Sequence, residues 1–134
     1  MSSYDVAVLA GDGIGPEVTD EAFKVVDAAA SAFGFEIKKN VLDLGTERWL
    51  KTKDIFPEAD FNAVKDNDAI YLGAIGDPRA PVGLMEYGII AKLRFDLDLY
   101  INLRPIKLYD ERMCPLKGKG VEDIDMLIIR ENTE

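Results

Sequence analysis

Arginines are the residues in this sequence that could do chemistry. Arg94 lies at the end of a stretch in which Met85, Ile89, Leu93 and Leu97 recur every fourth residue, a helical period. Arg104 follows Leu99, Ile101 and Leu103, a near-alternating and β-prone pattern that Pro105 interrupts. Arg130 closes a separate apolar strand, Met126-Leu127-Ile128-Ile129. A guanidinium is a planar fork that matches a carboxylate bidentately, so several of them at element ends can converge on one acid. The spacing leaves two readings open, an anion grip and three ordinary surface arginines, because arginine is exposed in most proteins.

Two glycine loops could receive a nucleotide. Gly11-x-Gly13-x-Gly15 stands between an apolar strand and a helix, but the Rossmann fingerprint is Gly-x-Gly-x-x-Gly and the third glycine comes one residue early. Asp12, Glu17, Asp20 and Glu21 crowd the same loop and first helical turn, where their charge complements the helix dipole and repels a pyrophosphate. A tight turn and a well-made helix start account for these residues. The second loop, Gly73-Ala74-Ile75-Gly76-Asp77-Pro78, follows another apolar strand. Ligands of parallel sheets bind beyond the carboxyl ends of the strands, and glycines there let a flat ring approach the backbone. A flexible connection fits the same residues equally well.

Several function classes are excluded or disfavoured. With no histidine and one cysteine, Cys114, the 134 residues hold no Ser-His-Asp device, no His-ligated zinc and no internal disulfide. A reduced, cytoplasmic setting fits. A net charge of −9 disfavours nucleic acid and anionic membrane as partners. No apolar run has the length of a membrane span.

The elements that must position these residues alternate in type. Val6-Ala7-Val8-Leu9 reads as a buried parallel strand, and Pro16 sits where a first helical residue belongs. Val18, Ala22, Val25, Val26, Ala29 and Phe33 trace one helix face, and Gly34 ends that helix. A strand is expected over 35–44, short helices over 47–53 and 57–65, and a buried strand over 68–74. A helix over 84–97, a strand from Leu99, a polar connection over 110–122 and a strand over 125–130 complete the chain. The pattern predicts an α/β fold, a partial parallel sheet with flanking helices.

Four blocks, Val8–Val18 (VLAGDGIGPEV), Tyr71–Pro78 (YLGAIGDP), Leu93–Pro105 (LRFDLDLYINLRP) and Ile124–Glu134 (IDMLIIRENTE), span the chain. In this order they resemble the β-decarboxylating dehydrogenases: the isopropylmalate, isocitrate, homoisocitrate and tartrate/malate enzymes. The resemblance implies that Arg94, Arg104 and Arg130 grip the carboxylates of a 2-hydroxy dicarboxylate. It implies that Gly73, Ala74, Ile75 and Gly76 contact an NAD or NADP cofactor, with Ile14 of the first loop beside it. The expected chemistry is oxidation and decarboxylation assisted by Mg2+ or Mn2+. The metal-binding aspartates, the catalytic lysine and the catalytic tyrosine match positions beyond Glu134, so no catalytic residue or metal ligand is assigned in this chain. On this likeness 1–99 is the first part of a large cofactor-binding domain of non-Rossmann type, and 100–134 begins a smaller one. The parent enzyme is expected to be a homodimer. The 134-residue chain is expected to be inactive alone and to self-associate.

Residues three, four and seven positions before Arg94, namely Ala91, Ile90 and Tyr87, lie on or beside its face. They are the candidates to contact the substrate's side group. Isocitrate enzymes carry a Ser-x-Asn pattern here, against Gly88-Ile89-Ile90 in this chain, so polar contacts for a third carboxylate are missing. Isopropylmalate enzymes carry two leucines at the positions of Ile90 and Ala91 and a glutamate at Tyr87. Tyr87-Gly88 is closer to tartrate/malate members. Gly88 costs about 1 kcal/mol relative to alanine within a helix, which points to close packing against a neighbour or ligand. Ile89 reads as core. The competing possibilities are a non-catalytic interaction protein built on the same front end, and an unrelated flavodoxin-like nucleotide-binding domain.

Overall fold

A computed structural model describes residues 2–133. It divides into two compact units, one reaching to Lys92 and the other running from Leu93 onward.

The first unit is built on strand β1 (Ser2–Gly11), whose Ala7, Val8 and Leu9 are buried. Helix α1 (Gly15–Phe33) follows, then β2 (Phe35–Val41), α2 (Thr46–Thr52), α3 (Glu58–Lys65) and β3 (Ala69–Ala74). The sheet order is β2-β1-β3, with both pairings parallel. Each crossover therefore carries helix, as a parallel connection requires. Gly34 takes the left-handed conformation that ends α1, its N–H donating to the Ala30 carbonyl.

The buried face of α1 differs from the one the apolar spacing predicts. Gly15, Thr19 and Phe23 are buried, whereas Val25 is 70% and Phe33 82% exposed. Backbone proximity sets this rotation. A Cβ on Gly15 would lie 2.0 Å from the Ala10 carbonyl oxygen, so the first turn of α1 is pressed onto the end of β1. One and two turns on, Thr19 and Phe23 then face inward, and the Phe23 ring meets Tyr71 at 5.0 Å. The helix also begins at Gly15, one residue before Pro16.

The helix expected over 84–97 is wound in two ways. Glu86–Ala91 is π-helical and leads directly into α4 (Lys92–Asp96). Met85 and Ile89 are fully buried, as the fourfold recurrence predicts.

In the second unit β4 (Ile101–Lys107) pairs with β5 (Asp125–Glu131) as an antiparallel ribbon, separate from the parallel sheet. Between them lie two short 3-10 turns, Glu111–Met113 and Val121–Asp123, and no α-helical crossover, so the chain returns antiparallel. Pro105 lies within β4 rather than ending it. Leu108 N–H donates to the Ile124 carbonyl at 2.9 Å and Asn132 N–H to the Tyr100 carbonyl at 3.1 Å. These bonds at the ribbon's two ends place the ladder donors of β4 on even-numbered residues. Position 105 has its nitrogen on the open edge, where a missing N–H costs nothing.

Candidate functional site

The carboxyl edge of the parallel sheet is a junction with almost no side chains. Gly11 pairs with Ala74, and a Cβ on Gly11 would sit 2.0 Å from the Ala74 carbonyl oxygen. A Cβ on Gly73 would meet the Ala10 carbonyl oxygen at 2.3 Å and Thr19 Oγ1 at 2.8 Å. The absence of a side chain at 73 therefore serves packing between strands and helix.

Asp12 ties this junction together. Its side chain is 6% exposed, so it is not the solvent-facing charge expected of the first loop. Asp12 Oδ1 accepts from Thr46 N–H at 2.6 Å, and Oδ2 accepts from Thr46 Oγ1 at 3.1 Å and Gly76 N–H at 3.0 Å. Its own N–H donates to the Ala74 carbonyl at 2.6 Å. One carboxylate thus joins the loop after β1, the loop after β3 and the start of α2. The sequence signal was an aspartate between two glycines, read there only as charge.

Around this hub the structure brings together the residues expected to meet a cofactor. Ile14 is 62% exposed and Gly13 has open space where a Cβ would stand. Gly76 is exposed with φ +127°. Gly73, Ala74 and Ile75 are half-buried. An apolar side chain beside open backbone suits a flat aromatic ring. Asp77 belongs to a different device: Arg79 bonds it from Nε at 2.9 Å and from the backbone N–H at 2.8 Å, and also reaches Glu47 at 2.6 Å. These bonds hold the Asp77 carboxyl at about 2, well below its ordinary value.

Of the side-group candidates, Tyr87 is 78% exposed while Ile90 and Ala91 are half-buried. All three lie in the π-wound run Glu86–Ala91, where neighbours one turn apart stand four to five residues apart, so the three- and four-residue offsets do not hold across it. The neighbour implied by Gly88 is Ile55, whose Cγ2 would lie 2.5 Å from a Cβ at 88. Ile55, Pro81, Val82, Gly83, Leu84, Tyr87 and Gly88 line a shallow, open apolar depression.

All three arginines fall in the second unit. Arg94 is half-buried on α4, and its carbonyl accepts from Leu99 N–H at 2.8 Å. In the ribbon Asn102 stands opposite Arg130 and Arg104 opposite Ile128. Arg104 and Arg130 are therefore diagonal neighbours on one face, with Asn102 between them. Arg104 Nε donates to Asn102 Oδ1 at 3.1 Å and Arg130 Nε to the Glu131 carbonyl at 3.2 Å. Both acceptors are neutral, so these bonds orient the guanidinium groups without cancelling their charge. Asn102 is the residue that reading the sequence alone missed, since an asparagine in a strand carries no signal of its own.

Among the described residues no group of three His, Cys, Asp or Glu is placed to hold a metal ion. No helix of the described residues is long and apolar enough to cross a membrane.

A parallel unit with a glycine-packed carboxyl edge, followed by an antiparallel ribbon carrying two arginines on one face, makes this an α/β protein. Residues 5–134 match the family model for isocitrate/isopropylmalate dehydrogenase, and the chain belongs to that family. It is 46% identical over 129 residues to the 3-isopropylmalate dehydrogenase of Thermobifida fusca, covering 96% of this chain and 36% of that one. It is 50% identical over 133 residues to the 3-isopropylmalate dehydrogenase of Bifidobacterium longum, covering 98% and 38%. Among solved structures it is similar to isocitrate dehydrogenase from Methylococcus capsulatus, with TM-score 0.76, 27% identity and coverage of 98% and 35%. A β-decarboxylating dehydrogenase from Thermococcus kodakarensis gives TM-score 0.68 and 30% identity, with coverage of 98% and 34%. The chain thus spans well under half the length of the relatives it matches.

Proposed function

We propose that this chain carries the substrate-gripping and cofactor-contacting front of an NAD- or NADP-dependent dehydrogenase that oxidises and decarboxylates a 2-hydroxy dicarboxylate such as 3-isopropylmalate. The observation that carries the reading is the shared ribbon face of Arg104 and Arg130, spaced by Asn102, in the same unit as Arg94. Forked guanidinium groups with neutral partners are built to take carboxylates. Tyr87, Ile90 and Ala91 are assigned to the substrate's side group, and Ile14 with Gly73, Ala74, Ile75 and Gly76 to the nicotinamide end of the cofactor. When bound, that cofactor accepts the hydride. The chain's residues orient the acid and the ring. Residues 1–99 are assigned to the cofactor-binding domain and 100–134 to the beginning of the second, in an enzyme that works in the cytoplasm as a homodimer. Turnover by the 134 residues alone is not expected.

The test is a titration of the 134-residue chain followed through the arginine Nε–H resonances. Malate, tartrate and 3-isopropylmalate should each shift Arg94, Arg104 and Arg130, while a 2-hydroxy monocarboxylate with the same side group should shift them far less. A charge-assisted bond contributes about 1.5–3 kcal/mol, so Arg104→Lys should weaken the dicarboxylates roughly tenfold or more. Equal shifts from mono- and dicarboxylates, or none from either, would refute the grip.

A further inference from the structure

We propose that Asp12 is a positioning residue for the cofactor loop: its buried carboxylate fixes the Ile75–Gly76 peptide so that the Ile75 carbonyl faces outward as an acceptor for a carboxamide. The inference rests on assigning Gly73 to Gly76 to the cofactor. Gly76 N–H is turned in toward Asp12 Oδ2 at 3.0 Å. No peptide bond among the described residues is cis, and in a trans peptide the carbonyl points opposite to the N–H. The Ile75 carbonyl is therefore directed away from the hub. A nicotinamide carboxamide is the complementary donor, and the exposed Ile14 offers an apolar contact for the ring.

The arrangement around the carboxylate leaves little alternative. A Cβ on Gly45 would lie 2.7 Å from Asp12 Oδ1, so a side chain there would push the carboxylate off its donors. Thr46 closes the other side with both its N–H and its hydroxyl. An asparagine at 12 keeps one acceptor oxygen and turns an NH2 toward N–H donors. Either Gly76 or Thr46 then loses its bond.

The experiment compares the wild-type chain, Asp12→Asn and Phe61→Leu by amide exchange and by titration with reduced nicotinamide mononucleotide. Phe61 is a buried core residue of α3, so its variant reports what loss of stability alone does. In the wild type the Gly76 amide should be protected and the nucleotide should shift Ile14 and Gly73 to Gly76. Asp12→Asn should speed Gly76 exchange about tenfold or more and weaken the nucleotide about tenfold, whereas Phe61→Leu should leave affinity unchanged. A folded Asp12→Asn that binds like the wild type overturns the proposal, as does a wild-type Gly76 amide that exchanges like open loop. A protected Gly76 in a wild-type chain that ignores the nucleotide refutes the cofactor assignment instead, and the positioning role falls with it. Should Asp12→Asn not fold, Thr46→Val removes one donor while keeping the carboxylate. It should weaken the nucleotide about threefold, and unchanged affinity overturns the proposal.

Discussion

Replacing Gly88 by alanine sets two effects against each other at the π-helical run. Alanine gains about 1 kcal/mol over glycine in a helix. Against that, the new Cβ would stand 2.5 Å from Ile55 Cγ2 and 3.3 Å from Cδ1. Cγ2 is bonded to the branched Cβ of Ile55, so clearing it requires a change of χ1 in a residue that is stiff there. Overpacking of this kind costs about 1–3 kcal/mol, and the half-buried position of Ile55 favours the lower half of that range. Net destabilisation of about 0.5 kcal/mol is expected. For the unit ending at Lys92 this lowers Tm by about 3 °C. Thermal unfolding of Gly88→Ala, Ile55→Ala and the double variant isolates the contact. The double variant should be at least about 1 kcal/mol more stable than the sum of the single losses predicts, because removing the Ile55 side chain opens the space the Cβ needs. Additivity within about 0.5 kcal/mol would refute the claim that Gly88 is dictated by Ile55.

Two further outcomes are expected. The folded Asp77 carboxyl lies at about 2 against an ordinary 3.8, so the stability it contributes is present above the ordinary value and is lost as pH falls through 2; a carboxyl-carbon titration should show that low midpoint, Arg79→Gln should raise it toward 3.8, and a wild-type midpoint near 3.8 would refute the clamp. The ribbon face opposite the arginines carries Ile101, Leu103, Leu127 and Ile129, between 47% and 65% exposed, so the chain should self-associate; Leu103→Lys with Ile129→Glu, a cross-strand pair, should shift light scattering toward monomer, and a wild-type monomer at high concentration would refute it.

The legible parts of this chain are those whose cause is local. Val6 to Leu9 and Ala69 to Leu72 are short apolar runs, and they form neighbouring parallel strands because helices separate them in sequence. Gly34 ends α1 because only a residue without Cβ enters the left-handed region cheaply there. What stayed hidden depends on partners far along the chain. Apolar spacing placed Val25 and Phe33 inward on α1, but the rotation of that helix is set by Gly15 against the Ala10 carbonyl. Pro105 suggested a strand end because nothing in the sequence says which edge of β4 lies open.

Asp12 shows the same division at the site itself. Its negative charge is visible in the sequence and argues against a pyrophosphate cradle. Its destination is not visible, because the donors it accepts from are Thr46 and Gly76, 34 and 64 positions away. The three arginines lie between these extremes. Their residue type is compatible with a carboxylate grip and with ordinary surface arginines, and the shared face of Arg104 and Arg130 follows only from the β4–β5 register, in which positions summing to one constant stand opposite. A slip of that register by one residue would send the two guanidinium groups to opposite faces. The proposed grip therefore depends on the ladder as much as on the arginines. Asn132, whose side chain donates to the Leu99 carbonyl at 2.7 Å and whose N–H bonds Tyr100, pins the end of the ribbon where that register is set.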